Sequence, residues 1–190
     1  MEKIKSPFRF IISPLNDEQY INTKEIFGVK LTVNTSIENA EDVQRYAKVI
    51  EVPMIYDGDI KAGDTVIVQH NVFRITTNDK GIPMQSNNFI KENLFYVDEE
   101  LIYLVINEKG IKASNDNVFV EPITEILPWL GEVEKKHTGI VKYSNKDLNA
   151  QGVKDGDTII FRKECEYPFN INEERLYKMS NKRILAKVTN

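Results

Sequence analysis

Residues 60–68 read IKAGDTVIV, and residues 153–161 read VKDGDTIIF. The two stretches lie 93 residues apart, and both contain Gly-Asp-Thr followed by an apolar run. Glycine and aspartate favour a turn, whereas β-branched residues favour a buried strand. The pair therefore predicts an internal repeat, in which each copy contains a turn that leads into a buried strand.

The segments around the two turns recur in the same order. Ahead of each turn lie an apolar segment that ends at a proline and then a second strand-like segment: residues 10–15 and 47–52 in one copy, 118–123 and 139–143 in the other. The second segment begins 14 residues before Lys61 and 15 residues before Lys154. Each copy closes with two further strand-like segments: residues 95–97 and 101–106, or 176–179 and 184–188.

This order predicts two tandem β-domains, residues 1–108 and 109–190, joined by a short polar segment near residues 107–110. Short strands with frequent turn signals and no sustained helical period favour a small barrel or sandwich in each domain, and so the all-β class. A helix is predicted only over residues 37–47, where Ser36 is a suitable N-cap and acidic residues follow it. Helix content should be low.

The copies differ mainly in the length of one loop. Pro14 and Lys61 are 47 residues apart, whereas Pro122 and Lys154 are 32 residues apart. The first copy therefore carries 15 additional residues, mostly within residues 16–44. Because function tends to lie in loops added to a repeated framework, this long loop is a functional candidate, and we predict that it is the least packed segment.

Composition excludes several classes of protein. The 190 residues carry 25 basic and 29 acidic side chains, and the isoelectric point is about 5.4, which disfavours nucleic acid as a partner. The longest apolar run, residues 101–106, is far shorter than the roughly 20 residues of a membrane-spanning helix. The N-terminal residues lack the apolar region of a secretory signal. We therefore expect a cytoplasmic protein without a membrane partner.

Reactive side chains are few. Cys165 is the only cysteine, and the two histidines, His70 and His137, lie among polar residues outside any hydrolase motif. Glycine-rich phosphate loops and the HExxH metal motif are also missing from the sequence. We therefore expect no catalytic residue, no metal, no cofactor and no enzymatic activity.

The second copy resembles the GroES-type co-chaperonins. The resemblance lies in residues 117–122 (NVFVEP), 139–141 (GIV), 152–161 (GVKDGDTIIF), 177–180 (YKMS) and 184–188 (ILAKV), and covers most of residues 111–188. The first copy is less similar to the family, through residues 61–68 and the strands near Pro14 and Val49. The family implies small, partly open β-barrels that assemble into a ring and cap an ATP-driven chaperonin.

In that family, a disordered loop between the first two strands carries a glycine and a short apolar stretch that docks on the chaperonin. At this place the first copy has Ile26, Phe27, Gly28, Val29 and Leu31, with Lys30 interrupting the apolar stretch. A mobile apolar loop would bind reversibly, because ordering it opposes the gain from burial. The same segment also has the alternation of an ordinary strand, with residues 27, 29 and 31 on one face.

The equivalent loop of the second copy contains Ile126, Leu127, Trp129 and Leu130 around Pro128. Tryptophan and leucine are good interface anchors, but they could equally plug the mouth of a barrel. We therefore treat these four residues as a second candidate docking site, with the plug as the alternative.

The resemblance implies a co-chaperonin that assists protein folding, acts as a homo-oligomer and binds chaperonin ring subunits. A fold does not fix a function, so a structural or assembly protein, of viral origin for example, could use the same barrels as building blocks. An enzyme with an unrecognised site is the third class of function.

Overall fold

The computed structural model describes residues 4–21, 23–26, 29–32, 42–172 and 174–189. The chain divides into two compact units, Met1–Gly110 and Ile111–Asn190. Half of the chain is β-strand and about a tenth is helix, so the expected all-β class is confirmed at that level. Within the described residues no helix is long and apolar enough to cross a membrane.

The strands of the first unit are β1 (Phe10–Pro14), β2 (Thr23–Ile26), β3 (Val29–Thr32), β4 (Tyr46–Glu51), β5 (Thr65–Val68), β6 (Thr76–Thr77), β7 (Pro83–Met84), β8 (Phe89–Lys91), β9 (Leu94–Val97) and β10 (Ile102–Asn107). Strand β11 (Gly110–Ala113) spans the division between the units. The second unit contains β12 (Asn117–Leu127), β13 (Gly131–Tyr143), helix α1 (Lys146–Ala150), β14 (Thr158–Phe161), β15 (Tyr167–Ile171), β16 (Glu174–Ser180) and β17 (Ile184–Lys187). Short 3₁₀ turns lie at Leu15–Asp17, His70–Val72, Glu99–Leu101 and Asn181–Arg183.

The main sheets of the two units have the same topology over the described residues. The first contains the strand order β8-β9-β1-β4-β5-β10, and the second has β15-β16-β12-β13-β14-β17. All of these neighbours are antiparallel. Irregularities recur as well, since the bulge between Ile11 and Ile12 matches the bulge between Phe119 and Val120. The strands matched from the sequence are therefore structurally equivalent.

The predicted turns are built from the same hydrogen bonds. The Gly63 N–H donates to the Val49 carbonyl at 2.8 Å, and the Gly156 N–H donates to the Val141 carbonyl at the same distance. Both glycines have positive φ angles, 97° and 89°, which side chains of L-residues disfavour. The equivalent placement of the two glycines that the sequence predicts is thus confirmed.

An aspartate closes each turn. The carboxylate of Asp64 accepts the Lys61 N–H at 2.8 Å, and that of Asp157 accepts the Lys154 N–H at 2.7 Å. Asp157 also forms an ion pair with Lys187 of β17 at 2.6 Å, which lowers the pKa of its carboxyl group. These bonds fasten β5 and β14 to the strands that precede them.

Each unit has its own apolar core. In the first, Ile12, Val49, Val66 and Phe95 are among the fully buried residues, and Phe73 packs edge-on against Phe95 with 4.8 Å between ring centroids. The second core is smaller. It consists of Val118, Val120, Val141, Leu148, Ile159, Phe161, Tyr177 and Met179.

Two expectations need correction. Neither main sheet closes into a barrel within the described residues, so the fold is a pair of related open sheets at the level the structure shows. The helix predicted over residues 37–47 is wrong at its end, because Val43 forms a bridge with Tyr20 and β4 begins at Tyr46. The apolar side chains of Val43 and Ala47 are buried in the core instead. Residues 37–41 of that helix lie outside the described residues.

Helix α1 is a feature that sequence analysis missed. It has only five residues, and Asn145 caps it by accepting the Leu148 N–H at 2.9 Å. The Asn145 amide also donates to the Asn117 carbonyl at 2.7 Å and to Asn181 at 2.8 Å. This short helix is held by long-range polar contacts, which leave no periodic signal in the sequence.

The glycine turns generate the first prediction. Replacing Gly156 by alanine should lower the free energy of unfolding by about 1–2 kcal/mol, because the positive φ strains an L-residue. No atom outside the chain neighbours lies within 4 Å of the added Cβ, so the loss reflects backbone strain alone. Urea denaturation of the full chain measures it.

Lys154→Ala is the matched control for this substitution. It changes an exposed residue of the same turn and leaves the glycine in place. Equal unfolding free energies for Gly156→Ala and Lys154→Ala would show that the turn tolerates an ordinary residue, and would contradict the role given to the glycine.

Candidate functional site

Strands β12 and β13 form a long hairpin between the first two strands of the second unit. Their pairing runs from Phe119 opposite Tyr143 to Leu127 opposite Gly131. At the end, the Leu130 N–H donates to the Leu127 carbonyl at 3.2 Å, and Gly131 has a φ of 73°. Pro128 suits the second position of such a turn, because its ring fixes φ near the required value. We call residues 124–134 the arm.

The arm ends in exposed apolar side chains. Trp129 is 95% exposed, Ile126 is 83% exposed and Leu130 is 73% exposed. Leu127, the remaining residue predicted for this site, is half-buried. The structure thus brings these four residues together at one tip, and the alternative that Trp129 plugs a barrel is wrong.

A large bulge separates the arm from the rest of the hairpin. Pro122 pairs with Gly139, but the next pair is Thr124 with Glu134. One residue of β12 therefore lies opposite the four residues 135–138 of β13. Extra residues in one strand of a pair bend the hairpin and interrupt its hydrogen bonds. We call residues 135–138 the bulge.

Strand β13 is fixed just below the bulge by close packing. Gly139 is buried against β12, and a Cβ added to it would lie 2.4 Å from Val120 Cγ1 and 2.8 Å from the Glu121 carbonyl oxygen. The equivalent position of the first unit is Ala47, which pairs with Pro14 as Gly139 pairs with Pro122. The glycine thus lets β12 and β13 approach more closely in the second unit.

Glu134, at the root of the arm, is held by two side chains of β16. Its carboxylate forms an ion pair with Arg175 at 3.0 Å and accepts a hydrogen bond from the Tyr177 hydroxyl. Arg175 also donates to the Tyr177 hydroxyl oxygen at 3.2 Å. Burial, together with the nearby Glu134 carboxylate, raises the pKa of Tyr177, so the phenol stays protonated and able to donate near neutral pH. We call these three residues the clamp.

The corresponding segment of the first unit also contains a hairpin. β2 and β3 pair from Thr23 opposite Thr32 to Ile26 opposite Val29. Ile26 thus ends β2, and Val29 and Leu31 lie in β3. Phe27 and Gly28, and residues 33–41 of the long loop, lie outside the described residues. The prediction that residues 16–44 are the least packed segment stays a prediction.

The remaining reactive groups are scattered rather than assembled. Burial, followed by the charges of Arg45 and Arg74, lowers the pKa of His70, and burial raises the pKa of the Cys165 thiol. Within the described residues, no three side chains of His, Cys, Asp or Glu are placed to hold a metal ion. The geometry therefore directs attention to the arm.

Sequence analysis identified the tip of the arm but missed its support. The apolar residues of the tip are consecutive in the chain and fall at a recognisable place in the repeat. Glu134 and Tyr177, by contrast, are 43 residues apart, and their contact depends on the register of β12 with both β13 and β16. No local pattern signals a contact of this kind.

No protein-family model matches the chain, and no curated protein matches it. The arm, its tip and the clamp are accordingly the features on which a function can be argued.

The exposure of Trp129 generates the second prediction. Trp129 is the only tryptophan of the chain, so its fluorescence reports the tip alone. We expect an emission maximum and an acrylamide quenching constant close to those of N-acetyltryptophanamide, because solvent surrounds the indole. Denaturation should change both values little. A blue-shifted emission that moves to the red on unfolding would contradict the exposed tip.

Proposed function

We propose that the protein is a co-chaperonin-like docking protein that binds an ATP-driven chaperonin ring through the tip of the arm. One observation carries the proposal: the tip presents Ile126, Trp129 and Leu130 almost completely to solvent. Large exposed apolar side chains that adjoin one another are characteristic of an interaction site. The arm also occupies the position, between the first two strands of its unit, where the resemblance to GroES-type proteins expects the docking loop.

The energetics suit a reversible interaction. Burying one large apolar side chain contributes about 1.5–3 kcal/mol, and tryptophan is the most frequent kind of interface anchor. Three such side chains on one tip give a moderate affinity, which several arms of an oligomer would multiply through avidity. Release would then need only modest weakening of each contact.

The charges next to the tip favour a protein groove over a lipid surface. Glu125 and Glu132 are exposed carboxylates on the two strands that lead to the turn. Anionic lipids would repel these groups, whereas an apolar protein groove with a neutral or basic rim would accept them. We therefore assign the tip to a protein partner.

The clamp contributes preorganisation. Glu134, Arg175 and Tyr177 hold the root of the arm against β16, so fewer residues need ordering when the tip binds. Val29 and Leu31 would supply a second docking segment in the first unit, as the family resemblance implies.

A second candidate function is supported by the edge of the main sheet in the second unit. β17 is the last strand of that sheet over the described residues, and Leu185 on it is 59% exposed. An open, partly apolar edge can pair with another chain. The same units could therefore serve as building blocks of an assembly without any chaperonin.

The third prediction tests docking with two tip variants. Trp129→Asp and Leu130→Asp should each weaken association with a purified chaperonin ring, measured by calorimetry with ATP present, by at least about tenfold. A carboxylate in an apolar groove loses the burial energy and adds a desolvation cost. Because both side chains are exposed, the free energy of unfolding should change by less than about 0.5 kcal/mol.

Ile55→Asp is the matched control, since Ile55 is similarly exposed but lies in the first unit, away from the arm. It should leave chaperonin binding unchanged. Chaperonin binding by the parent that survives both tip substitutions would remove the arm from the interface. Failure of the parent to bind, with tip variants that sediment as smaller species, would instead favour the assembly function.

A further inference from the structure

The bulge is the joint on which the position of the arm depends. Four residues of β13 lie opposite one residue of β12 there, and the regular pairing resumes only at Thr124 and Glu134. His137, within the bulge, has a φ of 55°, a conformation that is unusual for a residue other than glycine. The backbone on either side is held, by the packing of Gly139 below and by the clamp above.

His137 faces a carboxylate without bonding to it. Its Nδ1 atom lies 3.6 Å from Oε1 of Glu166, which follows β14, and the ring meets Phe161 edge-on. The Nδ1 atom is buried and has no hydrogen-bond partner among the described residues. A neutral imidazole can leave a lone pair at this nitrogen, facing the negative oxygen, whereas a protonated ring would present an N–H to it.

The other ionisable groups near this pair do not change charge in the range where imidazole does. Cys165 and Arg183 lie near Glu166 on one side, and Tyr177 lies on the other. Burial raises the pKa of both the Cys165 thiol and the Tyr177 phenol, so both stay neutral. Lys135 and Lys136, from the bulge itself, and Arg183 stay cationic. The proton on the imidazole is the variable charge.

We propose that His137 and Glu166 form a proton-operated latch that restrains the arm when His137 is protonated. Protonation turns an unbonded contact into a charge-assisted hydrogen bond between the bulge and the segment after β14. Deprotonation removes that bond and leaves the arm held by the clamp alone. This inference rests on the proposed function only for its consequence: a restrained arm loses less freedom on docking, so protonation should strengthen binding.

The experiment follows the arm directly and needs no partner. Time-resolved fluorescence anisotropy of Trp129 separates motion of the arm from tumbling of the protein. The ratio of restrained to free arm should be about two- to fivefold higher near pH 5.5 than near pH 8, which is the range that a partly exposed ion pair provides. His137→Gln and Glu166→Gln should each abolish this difference.

Three comparisons complete the test. His70→Gln, which removes the histidine of the first unit, should keep the full pH dependence. Glu134→Gln loosens the clamp and should increase arm motion at both pH values while keeping the pH dependence. NMR titration of the unsubstituted protein should show the His137 ring and the Glu166 carboxyl group changing at the same pH, a result that does not depend on any variant folding.

Equal anisotropy at both pH values in the parent protein, or a pH dependence that survives His137→Gln, would overturn the latch. Neither result bears on docking, because no chaperonin is present. With chaperonin added, the affinity of the parent relative to His137→Gln should rise about two- to fivefold on acidification. A constant ratio alongside pH-dependent anisotropy would overturn the coupling of the latch to docking.

Discussion

The hydrogen bond from a turn glycine to the second strand of its sheet is the constraint on which both units depend. Gly63 binds the Val49 carbonyl, and Gly156 binds the Val141 carbonyl, each with a backbone that only glycine adopts without strain. This bond sets the register of the next strand, and a slip of one residue would turn its buried side chains to solvent. Ile159 and Phe161 reach the core of the second unit only in that register.

Because the turn fixes the framework, variation is confined to the segment between the first two strands. In the first unit this segment is the long loop that contains β2 and β3, and in the second it is the arm. The framework tolerates both, since the sheet below them keeps the same strand order. An extension that begins at paired strands inherits their direction, so the arm carries its apolar tip away from the core instead of folding back onto it.

Sequence reasoning succeeded where the determining contacts are local or repeated. The glycine turns, the strands around them and the apolar residues of the tip all follow from short patterns near Gly63, Gly156 and Trp129. It failed where distant segments decide the outcome. Val43 and Ala47 fit a helical pattern, but core packing draws them into a bridge and a strand. The clamp, the bulge and helix α1 depend on strand register and long-range hydrogen bonds, which periodicity does not encode.

The clamp and the bulge together explain how an exposed apolar tip can be held out in water without collapsing onto the fold. An unsupported hairpin of two strands is only marginally stable, and exposed tryptophan and leucine would favour its folding back. Glu134 opposes this, because moving the arm would break its contacts with both Arg175 and Tyr177. Below it, Gly139 lets β13 lie so close to β12 that the root has little room to shift. The four bulge residues between these two fixed points are therefore where the direction of the arm can change, and a charge at His137 acts at that place.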